Sequence, residues 1–335
     1  MLNPPESPAL VPIQEAIEAF LGRGEIRGPV WVACSGGVDS TALLAAAAGT
    51  RLRAAPLGVV HVDHGVHARR HEARDQVGQL AQSLGLRFQS FEVAPGHARE
   101  TELRAARYAL LRRLGDQDRA HAVLLGHHLE DQLETVLFRL RRGAGTRGLA
   151  GIPARRPLTN RCELWRPLLS IRRATLERAC RELDLPIVED PTNRDLGPSR
   201  NRLRHVEIPA LRQRHHSFDE RLLSIRERAN ARNERLEAQA RTFLEEESLR
   251  SSTGTRSIPL ASLRSVDEAT SLEICRQLCA GICGSAVSTD LLRRLHQLGR
   301  QGQRGQRIEA HPRLSVRHDG QMLIFAPRTQ IEVHR

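Results

Sequence analysis

Through about residue 130, short apolar runs alternate with segments whose apolar positions recur at helical spacing. The runs Val30–Cys34, Leu57–Val62, Arg87–Val93 and Ala122–Leu125 read as strands. Between them, Ser40–Ala48, Arg70–Leu84 and Glu100–Leu114 read as helices, and in the second of these Val77, Leu80, Ala81 and Leu84 share one face. Strands alternating with helices predict a parallel sheet covered on both faces. Ligands of such sheets bind beyond the carboxyl ends of the strands.

Further along, Gly143–Pro157 is rich in glycine, arginine and proline and predicts a loop. A helix is expected over Ser170–Leu183 and a loop over Pro186–Ser199. Phe218–Glu247 is long, highly charged and poor in breakers, which predicts a helical connector with much of its surface solvated. Beyond it, Ile274, Leu278, Ile282, Leu291, Leu292 and Leu295 follow a helical apolar pattern. Leu314 and Val316, a turn at Asp319-Gly320, then Met322 and Ile324 predict a hairpin. The expected architecture is α/β. A Rossmann-like parallel sheet occupies residues 1–212, a helical connector 213–250, and a small helical or α+β domain 251–335.

At 335 residues the chain is long enough for two domains and at least one well-buried core. Its formal net charge is +12 and its pI about 10.9. All 51 basic side chains are arginine. Such an excess is the electrostatic footprint of a nucleic-acid partner, and arginine forks onto phosphate better than lysine does. An alanine- and arginine-rich composition also follows from GC-rich coding, so charge alone does not decide the partner. Aromatic residues make up 3%, too few for extended base-stacking platforms. The six cysteines include no C-x-x-C pair. Cys275, Cys279 and Cys283 repeat every four residues, as one face of a buried helix does, and no histidine or fourth ligand accompanies them. Met1–Phe20 does not read as a signal peptide and no apolar stretch reaches bilayer-spanning length, so a reducing cytoplasmic setting with no membrane contact is expected.

Three strings at predicted strand ends carry chemistry. Ser35-Gly36-Gly37-Val38-Asp39-Ser40 joins the first strand to the first helix. A glycine pair and two hydroxyls at a helix N-terminus suit bound phosphate, because the backbone turns tightly and its N–H groups face the anion. No lysine follows the second glycine, which excludes a Walker A loop. His61-Val62-Asp63-His64-Gly65 ends the second strand; a strand-end loop whose backbone reads an adenine edge is favoured there over a metal cluster. Gly126-His127-His128-Leu129-Glu130-Asp131-Gln132-Leu133-Glu134-Thr135 opens a helix after the fourth strand. On that helix His127 and Asp131 are four apart and Asp131 and Glu134 three apart, which places all three on one face. A carboxylate pair beside an imidazole suits Mg²⁺-assisted work on ATP or capture of a cationic group, although acids at a helix start also complement its dipole.

The S-G-G-x-D-S string resembles the pyrophosphate-binding loop of the N-type ATP pyrophosphatases, the PP-loop family. With H-x-D-H-G and G-H-H-x-x-D-Q-x-E-T, the chain is similar to the tRNA(Ile)-lysidine synthetase family. Arg104-Ala105-Ala106-Arg107-Tyr108, Arg142-Gly143-Ala144-Gly145 and Arg166-Pro167-Leu168-Leu169 follow in the expected order. So do Glu189-Asp190-Pro191-Thr192-Asn193 and Arg200-Asn201-Arg202-Leu203-Arg204. The resemblance covers about residues 25–210 and weakens beyond.

The resemblance implies a ligase. ATP with Mg²⁺ adenylates the C2 oxygen of the wobble cytidine in the CAU anticodon of tRNA(Ile), releasing pyrophosphate, and the amine of free L-lysine then attacks C2 and displaces AMP to give lysidine. Codon reading changes from AUG to AUA. It also implies roles: Ser35, Gly36, Gly37, Val38 and Ser40 on the departing phosphates, Asp39 on Mg²⁺, and Arg107 on the α-phosphate. His61 lies at the nucleotide, His127 supports the adenylate, and Asp131 and Glu134 take the lysine ammonium. Glu189, Arg200 and Arg204 close the site and contact tRNA. A homodimer is left open. The chain departs from the family's pattern at Val66-His67, where leucine–arginine is usual, and at Glu130, where aspartate is common. Rival readings are a tRNA thiolation enzyme of the same superfamily, disfavoured by the missing C-x-x-C, and a catalytically silent ATP- or RNA-binding protein.

Overall fold

The computed structural model describes residues 7–63, 70–93, 100–188, 199–284 and 287–328. The chain divides into two compact units, Met1–Arg226 and Glu227–Arg335.

The first unit opens with α1 (Val11–Leu21), β1 (Val30–Ala33), α2 (Val38–Ala47), β2 (Leu57–Asp63), α3 (Arg70–Ser83), β3 (Arg87–Glu92) and α4 (Glu100–Gln117). It continues through β4 (Ala122–Leu124), α5 (Leu129–Arg141), α6 (Thr146–Leu149), β5 (Arg155–Pro157), β6 (Glu163–Trp165) and α7 (Arg173–Glu182). After α8 (Ser199–Arg202) one wide helical turn, Leu203–Glu207, leads into α9 (Ile208–Arg214), and α10 (Phe218–Glu247) begins in this unit and ends in the second. The sheet has six strands in the order β3-β2-β1-β4-β6-β5. Every neighbouring pair is parallel except β5 against β6.

Val30, Trp31 and Val32 are buried on both sides, the continuous apolar run that a covered parallel strand needs. One core lies among α1, α2, α3, α7 and one face of the sheet. A second, with Trp31, Tyr108, Leu111, Leu114 and Val123, lies under α4. Residues Ser40–Ala47 of α2 are all buried, so this helix is apolar around its whole circumference apart from its first turn. Gly58 fits because a Cβ there would stand 2.7 Å from the Trp31 ring.

The strand order places β2 on one side of β1 and β4 on the other. Chain reversal between β1 and β4 makes a topological switch point, the crevice in which open α/β sheets bind ligands. The segments leaving these two strands are the glycine loop and the G-H-H string.

Two expectations need correcting here. Gly143–Pro157 is not all loop: it holds α6 and the edge strand β5, whose Arg155 pairs with Trp165 and stacks on the rings of Phe20 and Trp165. The helix expected from Ser170 starts at Arg173.

In the second unit β7 (Leu249–Arg250), β8 (Arg256–Pro259), β9 (Arg307–His311), β10 (Leu314–His318) and β11 (Met322–Pro327) form an antiparallel sheet ordered β7-β8-β11-β10-β9. The helices α11 (Leu260–Ser265), α12 (Glu268–Cys283) and α13 (Thr289–Gln301) share its core, so this unit is α+β. The hairpin falls at β10–β11, with Gly320 at φ +108° in its turn. Cys275, Cys279 and Cys283 are buried along α12, and burial raises each thiol's pKa. No helix among the described residues is long and apolar enough to cross a membrane.

Candidate active site

The glycine loop leaves β1 and is tied by its own hydroxyls. The Ser35 N–H donates to Ser40 Oγ at 3.1 Å, and Ser40 Oγ donates to the Gly37 carbonyl at 3.0 Å. Gly36 has φ +87°, a conformation that side-chain-bearing residues rarely adopt. Gly37 is the N-cap of α2, extended and without a side-chain cap, so the helix turns its first N–H groups toward the crevice. From β4, Gly126 packs against this loop: a Cβ on it would stand 3.0 Å from the Asp39 carbonyl carbon and oxygen.

His61 lies within β2 rather than in a loop beyond it. Its ring is buried, and Nδ1 sits 2.9 Å from the Cys34 carbonyl, which fixes Nδ1 as the donor. Burial lowers its pKa, partly offset by that carbonyl. The imidazole therefore anchors the base of the glycine loop. Asp63, the last residue of β2, has His71 and Glu92 close by, with donor atoms within 4.8 Å of one another. His64 and Gly65 lie outside the described residues.

The third string departs from expectation by one residue. The helix begins at Leu129, so His127 precedes it and does not share its face with Asp131 and Glu134. His128 is the N-cap, with φ −123° and ψ −174°. Its N–H donates to Asp131 Oδ2 at 3.0 Å, the backward half of a capping box. Its ring joins the carboxylates. Nε2 lies 3.6 Å from Asp39 Oδ2 and 3.6 Å from Asp131 Oδ2, and Nδ1 lies 3.1 Å from Glu130 Oε2. His128 is not among the residues that the sequence marks for the site.

Arg204, on the wide turn after α8, closes the cluster. Its Nε donates to Glu134 Oε1 at 2.5 Å, and its Nη2 donates to Glu134 Oε2 and Asp131 Oδ1, each at 3.2 Å. The structure thus brings Asp39, Asp131, Glu134 and Arg204 together, with His128 and Glu130 added. Arg107 sits half-buried on α4, a different element, beside the core residue Tyr108. Arg200 falls in α8, and Glu189 lies outside the described residues.

Burial of the His128 ring opposes its charge, but Asp39, Glu130 and Asp131 outweigh burial and hold its pKa at about 9. Burial likewise pushes Glu130 up, yet the His128 ring and the Arg173 N–H pull it down to about 2. For Arg204 burial acts downward and is outweighed by Glu134 and Asp131, which raise it. The stabilisation from His128 is fully present below its ordinary 6.5 and is lost as pH rises through about 9. That from Glu130 is present above its ordinary 4.5 and is lost as pH falls toward about 2. The pair therefore contributes most between pH 4.5 and 6.5. Melting temperatures across pH 5–10 are expected to fall more steeply on the alkaline side for the native chain than for His128→Asn; parallel curves would contradict this.

Asp39 Oδ1 is buried with no hydrogen-bond partner among the described residues. An orphaned carboxylate oxygen beside a phosphate-type loop fits a hard cation such as Mg²⁺, which is held by one or two carboxylates plus phosphate oxygens.

The family model described as the PP-loop domain matches residues 10–211. The chain belongs to the PP-loop family. Among curated relatives, the tRNA(Ile)-lysidine synthase of Pseudomonas syringae is 45% identical over 183 residues, 54% of this chain and 41% of that one. That of Salinispora arenicola is 38% identical, over 61% of this chain and 63% of its own length. That of Parasynechococcus marenigrum is 33% identical over 68% of each. This PP-loop protein therefore spans from under half to about two thirds of the length of these relatives. Among solved structures, the U34-tRNA thiolase NcsA from Methanococcus maripaludis aligns with a TM-score of 0.55 at 16% identity, covering 66% of this chain and 78% of its own. That likeness is one of fold.

Proposed function

We propose that this PP-loop protein ligates free lysine onto C2 of the wobble cytidine in the CAU anticodon of tRNA(Ile), using ATP and passing through an adenylated tRNA. The observation that carries the reading is the carboxylate pair Asp131 and Glu134 on α5, beside the glycine loop and already gripping a guanidinium. A buried acidic pair that accommodates one cation is suited to take the ammonium of another. The names of the curated relatives supply the substrate.

In this reading the first N–H groups of α2, with Ser35, Gly36, Gly37, Val38 and Ser40, hold the β- and γ-phosphates that leave together as pyrophosphate. Asp39 holds Mg²⁺, which neutralises charge on those phosphates when bound. Arg107 meets the α-phosphate, and His61 keeps the loop in place at the nucleotide. The cytidine C2 oxygen attacks the α-phosphate, and His127 supports the resulting adenylate. Asp131 and Glu134 orient lysine so that its amine attacks C2 and AMP departs. Glu189, Arg200 and Arg204 stand where tRNA closes over the site. Residues 1–212 carry this chemistry, 213–250 connect, and 251–335 add arginine-rich surface for tRNA in the cytoplasm.

The six cysteines give a sulfur-transfer reading no support, since all are buried and burial raises each thiol's pKa.

The test uses α-labelled ATP, lysine and a tRNA(Ile) transcript with a CAU anticodon, with elongator methionine tRNA as control. AMP released only with the isoleucine tRNA, together with lysine attached to it, is the expected result. ATP binding without tRNA-dependent AMP would overturn the reading in favour of a silent binding protein.

A further inference from the structure

We propose that His128 is a positioning residue shared by the two halves of the site, the ATP half carried by Asp39 and the amine half carried by Asp131 and Glu134, and that Glu130 acts through it. The division into halves rests on the function proposed above.

The geometry is specific. Asp39 lies on α2 and Asp131 on α5, and a single imidazole nitrogen, Nε2, is 3.6 Å from a carboxylate oxygen of each. Two carboxylates brought this close repel unless a group stands between them, and the His128 ring nitrogen occupies that place and sets their spacing. The ring cannot drift, because its side chain is 1% exposed and its other nitrogen is 3.1 Å from Glu130 Oε2. Glu130 is itself anchored from a third element. The same oxygen accepts the N–H of Arg173, the first residue of α7, at 2.9 Å, and Arg172 lies 3.9 Å from Oε1. Since no side chain of its own N-cap serves α7, Glu130 also satisfies a helix-end donor and complements that helix's dipole. Capping alone does not explain His128. An N-cap favours Ser, Thr, Asp or Asn, so a histidine there brings a ring that capping does not require.

His128 touches no reacting atom in this account. It acts by holding the two carboxylates at one separation, so its loss is felt by both substrates. Glu130, which reaches neither half directly, is felt only through the ring.

The test is a double-mutant cycle with His128→Asn, which keeps a good cap, and Glu130→Gln, which keeps an acceptor for the Arg173 N–H. For native chain, both single variants and the double variant, the constants are KM for ATP and for lysine in tRNA-dependent AMP release, kcat, ATP affinity by direct titration, and melting temperature. His128→Asn is expected to raise both KM values and weaken ATP binding by roughly tenfold or more. Glu130→Gln should act in the same direction, and its effect should shrink to less than about twofold in the His128→Asn background. A merely structural role would lower the melting temperature and leave both constants of the folded protein in place, which would overturn the proposal. Additive effects, or a change confined to one substrate, would do so as well. If the native chain ligates no lysine, the proposed function fails. The ATP titrations then still judge His128, and an unchanged ATP affinity in His128→Asn rejects it.

Discussion

Asp39→Ala is expected to lower tRNA-dependent AMP release on the order of 10²–10³-fold while the protein stays folded. The size follows from position. Asp39 is the second residue of α2, at the mouth of the switch-point crevice, and its Oδ1 is buried with no partner among the described residues. Its Oδ2 faces the His128 ring, 3.6 Å away. A carboxylate so placed is available to a cation on one oxygen and held in register by the other. Loss of the carboxylate removes the charge that would hold Mg²⁺ against the departing phosphates, and no backbone hydrogen bond of α2 goes with it. Stability should change little, because the site keeps an excess of acids over its one ring and one guanidinium, and one repulsive neighbour of Asp131 disappears. AMP release and the melting curve, measured side by side, check both halves of the statement. Near-native turnover would move the metal-holding role to another side chain.

The framework of the first unit is legible in the sequence because β1, β2 and β4 are buried on both faces and read as apolar runs, and its main helices are long. Val30–Ala33, Leu57–Asp63 and Arg87–Glu92 differ from the apolar runs by a residue at an end, where fraying decides the boundary. Phe218–Glu247 is helical over its whole expected length. By contrast β5 and β6 have three residues each, too few for any period to register, and they exist because they pair with each other and β6 with β4. At the site, sequence and fold part at His127. Spacing of four suggested a shared face, whereas the fold begins the helix at Leu129 and uses His128 as its cap. A signal was present. An acid three residues after a candidate N-cap is the capping-box spacing, and His128 to Asp131 has it. No sequence signal gave the role of Glu130, which depends on α7 arriving from residues 173–182 to meet it.

The second large effect belongs to Glu134. Replacing it with Gln should lower the melting temperature of the first unit by on the order of 10 °C and also raise KM for lysine. Glu134 is 1% exposed and takes Nε and Nη2 of Arg204 on its two oxygens, while Asp131 receives one further bond from Nη2. Gln keeps the volume and one acceptor but removes the charge, so Arg204 is left half-buried against Asp131 alone. Breaking a buried ion pair by removing one partner costs about 3–5 kcal/mol, because the surviving charge keeps its desolvation penalty without its compensation. Asp131→Asn provides the contrast. Asp131 is more exposed than Glu134 and has one bond to Arg204, so its loss should cost less stability. Yet it faces the His128 ring, so under the proposed function the lysine requirement should rise at least as much. Thermal melts and lysine titrations of the two variants separate the roles: Glu134 as the main anchor of Arg204, Asp131 as the carboxylate nearer the chemistry. If Glu134→Gln melts with the native chain, Arg204 is not held as the structure has it, and the acidic pair would have to be assigned without a resident cation.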